Sequence, residues 1–155
     1  PSWGHFMLVE MDDSALICDK STFYASSQDV EVSSTLQRNV SSALFGGEGY
    51  YQTRLSGTGI CVLTCTVPEH ELMQVDLSGD KLSVDGHFAV MRTDEVEFKA
   101  EKSAKTLLGS VTSGEGLLQT FSGHGTVWIA PTENPYKQLA AMSQASLYAA
   151  STNKQ

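Results

Sequence analysis

The chain has 155 residues, with 18 acidic against 10 basic side chains and a net charge of −8. That length can bury a real core without disulfides or metal. The acidic balance repels phosphate backbones and anionic lipid heads, so nucleic acid is not expected as a partner. No apolar run reaches the roughly 18 residues that suggest a membrane span, so direct membrane insertion is not expected. Neither a signal peptide nor a basic amphipathic presequence is expected from the residues given. Pro1 stands without a methionine almost on top of the first strand, and the expectation is that upstream sequence has been cut away.

Short alternating segments follow one another along the chain. Strands are predicted over Phe6–Met11, Ala15–Cys18, Val30–Val32, Tyr50–Leu55, Ile60–Thr66, Glu71–Asp76, Lys81–Val84 and Phe88–Met91. Later strands are predicted over Val96–Ala100, Gly116–Phe121 and Thr126–Ala130. Turn signals separate them, including Asp12-Asp13, Gly46-Gly47, Ser56-Gly57, Ser78-Gly79-Asp80, Asp85-Gly86, Ser113-Gly114 and Ser122-Gly123. Many short strands with turns at such spacing read as an all-β sandwich or barrel.

Two stretches are nearly the same text. Gly47–Gly59 matches Gly114–Gly125, with one residue fewer in the second copy. Upstream, Phe6–Glu10 stands against Leu72–Asp76, Leu16–Asp19 against Leu82–Asp85, and Val30–Val32 against Val96–Phe98. The period is a half-domain, too long for the usual solenoid units. A single β domain over residues 1–131 is therefore expected, made of repeats at about 4–66 and 70–131. The repeated Ser-Gly-x-Gly is read as a hairpin, its glycines supplying positive φ at a tight reversal. The additional Arg54 of the first copy is expected in a β-bulge or a longer hairpin arm.

Residues 132–155 differ in kind, being alanine-rich and free of glycine. Asn134 reads as an N-cap and Pro135 as the first helical residue. Tyr136, Leu139, Ala140 and Leu147 fall near one face, which is expected to dock on the chain's own sheets or on a neighbouring subunit. The last five residues should fray.

Motifs that would carry chemistry are weak. Gly46-Gly47-Glu48-Gly49 lacks the Lys-Ser/Thr of a phosphate loop and is followed by a strand rather than a helix. Glu48 and Glu115 occupy equivalent places, so a shared structural job outweighs an acid/base couple. His5, His70, His87 and His124 include no His-x-His pair, and His124 is expected at an exposed hairpin tip. No Gly-x-Ser-x-Gly element is present. Cys61 and Cys65 lie four apart on one predicted strand, roughly 13 Å along it, too far for a disulfide or a shared metal. With Cys18 they read as buried reduced thiols. Trp3 and Trp128 read as core or interface anchors. No catalytic, cofactor-binding or metal-binding residue is therefore predicted.

Ser113-Gly114-Glu115-Gly116-Leu117, followed by Gly123-His124-Gly125-Thr126-Val127-Trp128, resembles the signature of the altered-inheritance-of-mitochondria family, number twenty-four. Leu82-Ser83-Val84-Asp85 with Phe88-Ala89 is similar to a second segment of that family. The resemblance covers about residues 6–131. It implies a duplicated β-sandwich of double-stranded β-helix type, like the tryptophan RNA-binding attenuator group, here with a short C-terminal helix. It further implies self-association, no established catalytic residues, and additional sequence before Pro1. Eukaryotic members would be mitochondrial and tied to inner-membrane organisation, and bacterial members cytoplasmic. RNA binding by the distant attenuator relatives is not carried over, because this chain is acidic and lacks a basic rim.

The functional expectation is a non-enzymatic assembly or scaffold module, a homo-oligomer or part of a heteromeric protein complex, without cofactor. The alternative is a small-ligand module between the sheets. Polar residues pointing into the interior would favour it, and the strand pattern shows no excess of them.

Overall fold

A computed structural model of the chain describes residues 4–40, 50–85, 88–102 and 117–152. Trp3, His87, the Gly46–Gly49 segment with Glu48, and Glu115 lie outside the described residues. The chain is all-β with one C-terminal helix: β1 (His5–Cys18), β2 (Phe23–Ser26), β3 (Val30–Gln37), β4 (Tyr50–Cys65), β5 (Met73–Asp85), β6 (Ala89–Thr93), β7 (Val96–Lys102), β8 (Leu117–Ile129) and α1 (Glu133–Thr152). A short 3-10 turn at Glu69–Glu71 separates β4 from β5.

The strands form one antiparallel network in the order β2-β4-β1-β6-β8-β5, with β3 also on β4 and β7 also on β8. Pairings recur at an offset of 66 residues. Met7 faces Leu63 and Met73 faces Ile129; Leu16 faces Leu55 and Leu82 faces Phe121. The halves join where β1 meets β6, at Leu16–Thr93, Ile17–Arg92 and Cys18–Met91.

Eight predicted strands fuse into four, Glu71–Asp76 with Lys81–Val84 in β5 and Gly116–Phe121 with Thr126–Ala130 in β8 among them. Phe6–Met11 and Ala15–Cys18 are one strand, and Asp12-Asp13 is a bulge within it, with Asp13 at φ 42°. Tyr50–Leu55 and Ile60–Thr66 are likewise one strand, so Ser56-Gly57-Thr58-Gly59 is not a hairpin. In the second half, Ser122-Gly123-His124-Gly125 also runs inside a single strand, β8. The glycines do take positive φ, but for another reason. A Cβ on Gly59 would stand 2.0 Å from Ser27 Oγ, and one on Gly125 would stand 2.1 Å from Thr93 Oγ1. Those same hydroxyls accept backbone N–H bonds, Ser27 Oγ from Ile60 at 3.0 Å and Thr93 Oγ1 from Thr126 at 3.1 Å. The corner between β2 and β3, and that between β6 and β7, thus rests directly on a long strand. His124 accordingly sits inside β8 opposite Ser78, not at a hairpin tip. Arg54 is in regular register with Ile17 and Ser33, and the bulge is on β1.

Each half has its own apolar core. Met7, Met11, Leu16, Leu55, Cys61 and Leu63 build the first, and Leu77, Val96, Phe98, Phe121 and Val127 the second. Fully buried side chains such as Leu55 and Leu63 each contribute about 2 kcal/mol by removal from water. Trp128 packs against the first core from β8, so it bridges the halves. A third cluster of Cys65, Val67 and Ala130 receives Tyr136 from the helix.

The helix begins at Glu133, one residue before the expected N-cap Asn134. Pro135 therefore lies in the first turn, where its missing N–H breaks no helical bond. Tyr136 and Ala140 are half-buried, while Leu139 and Met142 are 60 % and 69 % exposed. Of the predicted face, Leu139 does not dock, and the Leu147 side chain lies outside those described.

Candidate functional site

The junction between the halves holds a buried polar cluster that no motif announced. Arg92, at the end of β6, is 3 % exposed. Its Nε donates to the Val96 carbonyl at 3.1 Å, Nη1 to Gln52 Oε1 at 2.8 Å, and Nη2 to Gln37 Oε1 at 3.0 Å. The guanidinium carbon lies 5.0 Å from the Phe98 ring centroid, within cation–π range. Burial brings the Arg92 pKa down to about 10, partly offset by Tyr50, Asp94 and Asp19. It stays charged at neutral pH, and the groups that touch it are neutral.

Gln52 passes the network outward. Its amide nitrogen and the Tyr50 hydroxyl both approach Asp19 Oδ1, at 3.5 Å and 2.6 Å. Burial pushes the Tyr50 pKa well above the ordinary phenol value, and Asp19 adds to the shift. Gln119 is also buried, its Oε1 without a hydrogen-bond partner among the described residues. It shares with Arg92 a cavity of about 10 Å³, room for about one water. A partly exposed ion pair, Arg54 to Asp94 at 2.9 Å, ties the same two halves nearer the surface.

Asp19 connects this cluster to an open cleft of about 500 Å³, lined by Thr22, Phe23, Tyr24, Val90 and Lys137 among others. At its rim Glu133 accepts from Thr66 Oγ1 at 3.1 Å and pairs with Lys137 at 2.8 Å. Beside it Glu71 accepts from Thr132 and Tyr136. Those two hydrogen bonds hold the Glu71 carboxyl below the usual range.

The sequence-predicted candidates are scattered. All three cysteines are buried and free; burial pushes the Cys18 thiol up to about 12 and raises Cys61 and Cys65 as well. Such thiols are protonated and poor nucleophiles. His5 stacks edge-on against Tyr136 at 5.9 Å, and His70 is exposed in the 3-10 turn. Among the described residues no three His, Cys, Asp or Glu side chains gather as metal ligands. None of their helices is long and apolar enough to cross a membrane.

A family model described as Mitochondrial biogenesis AIM24 matches residues 1–132, and the chain belongs to that family. An uncharacterized protein of Streptococcus pyogenes serotype M6 is 26 % identical over 94 residues, which is 60 % of this chain and 36 % of that protein. The fold is similar to an X-ray crystal structure of a Streptococcus pyogenes protein, with a TM-score of 0.62 and 18 % identity. That similarity covers 92 % of this chain and 60 % of the solved one. The chain thus spans about a third of the matched relative's length and less than two thirds of the solved chain's.

Proposed function

We propose that this AIM24-family chain is a non-enzymatic assembly module that works by associating with copies of itself or with protein partners. The observation that carries the reading is an apolar outer face on the first half. Phe6, Leu8, Tyr24 and Ile60 are 58 %, 67 %, 63 % and 45 % exposed. Phe6 and Leu8 alternate outward along β1, Ile60 faces outward opposite Glu10, and the Tyr24 ring lies 4.9 Å from Phe6. Contiguous exposed apolar patches of this sort mark interaction surfaces. We read the two halves as copies of one unit, which would give a module with matched edges.

The same proposal includes no catalytic role, no nucleic-acid partner and no insertion into a bilayer. It places a eukaryotic source protein in the mitochondrion and a bacterial one in the cytoplasm. The second reading, a small-ligand module, is favoured by the cleft beside Asp19. Light scattering after size exclusion separates the two, with wild type compared against a Leu8→Ser/Tyr24→Ser variant. The assembly reading expects wild type above the single-chain mass of 16.7 kDa and the variant shifted toward it. Each exposed substitution should change stability by only about 0.5 kcal/mol. A wild-type monomer that retains a small molecule in native mass spectrometry would transfer the weight to the cleft.

A further inference from the structure

We propose that the small cavity between Arg92 and Gln119 is a binding site for a single water molecule, which bonds both side chains and carries the Arg92 network onto β8. The two matching stretches of the sequence each contain a Gln-Thr pair, Gln52-Thr53 and Gln119-Thr120. Both glutamines are buried, at 8 % and 5 % exposure, and both line the cavity that Arg92 lines. Gln52 meets the arginine directly, its Oε1 accepting from Nη1 at 2.8 Å. Gln119 Oε1 is buried as well, without a hydrogen-bond partner among the described residues. A buried acceptor left unpaired is destabilising, and native folds supply a donor to nearly all of them.

The chemistry of the cavity identifies that donor. A guanidinium carries one N–H on Nε and a pair on each Nη. Each of the Arg92 nitrogens makes one bond, to Val96, Gln52 and Gln37, which leaves one N–H on Nη1 and one on Nη2 among the described residues. The site thus sets spare donors on a buried arginine beside a spare acceptor on Gln119. A water satisfies both at once, its oxygen accepting from Arg92 and its O–H donating to Gln119 Oε1. An anion does not, because it has no proton to give the Gln119 oxygen. An apolar occupant would leave both sides unpaired. The volume of about 10 Å³ is close to the least that holds one water, so a larger ligand does not fit.

Its position gives the water a structural task. Arg92 stands on β6 and bonds β3 through Gln37, β4 through Gln52 and the start of β7 through Val96. Gln119 lies on β8, opposite Ala100 of β7. The water adds β8 to the strands that Arg92 holds, so the hub reaches the long strand of the second half as well as that of the first. The two glutamines then hold one arginine by different means, Gln52 by contact and Gln119 through water. A bridging water of this kind is nearly as favourable as a direct hydrogen bond.

The test is a high-resolution crystal structure of the whole chain, with a second crystal soaked in bromide. One density peak is expected in the cavity, about 2.7–3.2 Å from an Arg92 Nη and from Gln119 Oε1, with no anomalous bromide signal there. A cavity without density would overturn the proposal. So would a bromide peak, which would show the Gln119 amide turned to present its NH2 and the site holding an anion. Urea denaturation of Gln119→Met gives an independent readout by its sign, since methionine keeps the length of the side chain and removes the acceptor. Loss of a water-bonded oxygen should raise the unfolding equilibrium constant about 5-fold. An unpaired oxygen would instead be relieved by the apolar replacement, and an unchanged or lower constant would contradict the assignment. If the variant fails to fold, the wild-type crystals decide the question alone.

Discussion

Arg92 carries a positive charge in a setting that supplies only neutral partners: two glutamine amides, one carbonyl and one aromatic ring. Removing it would strand the Gln52 and Gln37 oxygens and leave a void between the two cores. The expected cost for Arg92→Ala is about 3 kcal/mol, from unmet hydrogen bonds and cavity together. Arg92→Lys should recover only part of it, because one ammonium cannot reproduce the fork of a guanidinium. Urea denaturation of the three proteins checks this; equal midpoints would contradict the role given to Arg92. The residue was not legible beforehand. The predicted strand Phe88–Met91 stops one position short of it, and alternation says which positions face inward without saying that one of them is a charged hub. Gln52 and Gln119 are hidden for the same reason, each in a run that reads as an ordinary strand.

At the level of elements, strand content was largely legible and strand length was not. Alternation located seven of the eight described strands, although Val30–Val32 marks only the start of β3, and it missed β2 (Phe23–Ser26). The other failures fall at glycine and at Asp12-Asp13, where turn chemistry and bulge chemistry use the same residues. Gly57 and Gly59 have the positive φ of a reversal, yet the strand continues through them because the Asp29 carbonyl and the Ser27 hydroxyl occupy the space of a side chain. Only the fold supplies those neighbours. The helix, in turn, is held at its start by Glu71 with Thr132 and Tyr136. Because the folded-state pKa of Glu71 is depressed, its contribution is present above the unfolded value of about 4.3 and is lost as pH falls through the lower folded value. Acidification below about pH 4 should therefore release Tyr136 and increase amide exchange across the first turns of α1. Glu71→Gln should blunt that pH dependence. An unchanged pH response in the variant would remove Glu71 from the account.

At the scale of the molecule, two apolar cores are bridged by Trp128, by the β1–β6 ladder and by the Arg92 cluster. The family and the all-β class were readable from Gly114–Trp128 and from the recurring strand pattern. The cleft was not, because its lining comes from β2, β6 and α1, which are far apart in the sequence. The claim that the chain acts by association is most directly tested by sedimentation velocity of the untagged protein across a dilution series from submicromolar to about 100-fold higher. Association predicts a weight-average sedimentation coefficient that rises with concentration above that of a 16.7 kDa chain, with discrete species at the upper end. A single monomeric boundary at every concentration, together with no protein partner sedimenting with the chain from its source, would contradict it.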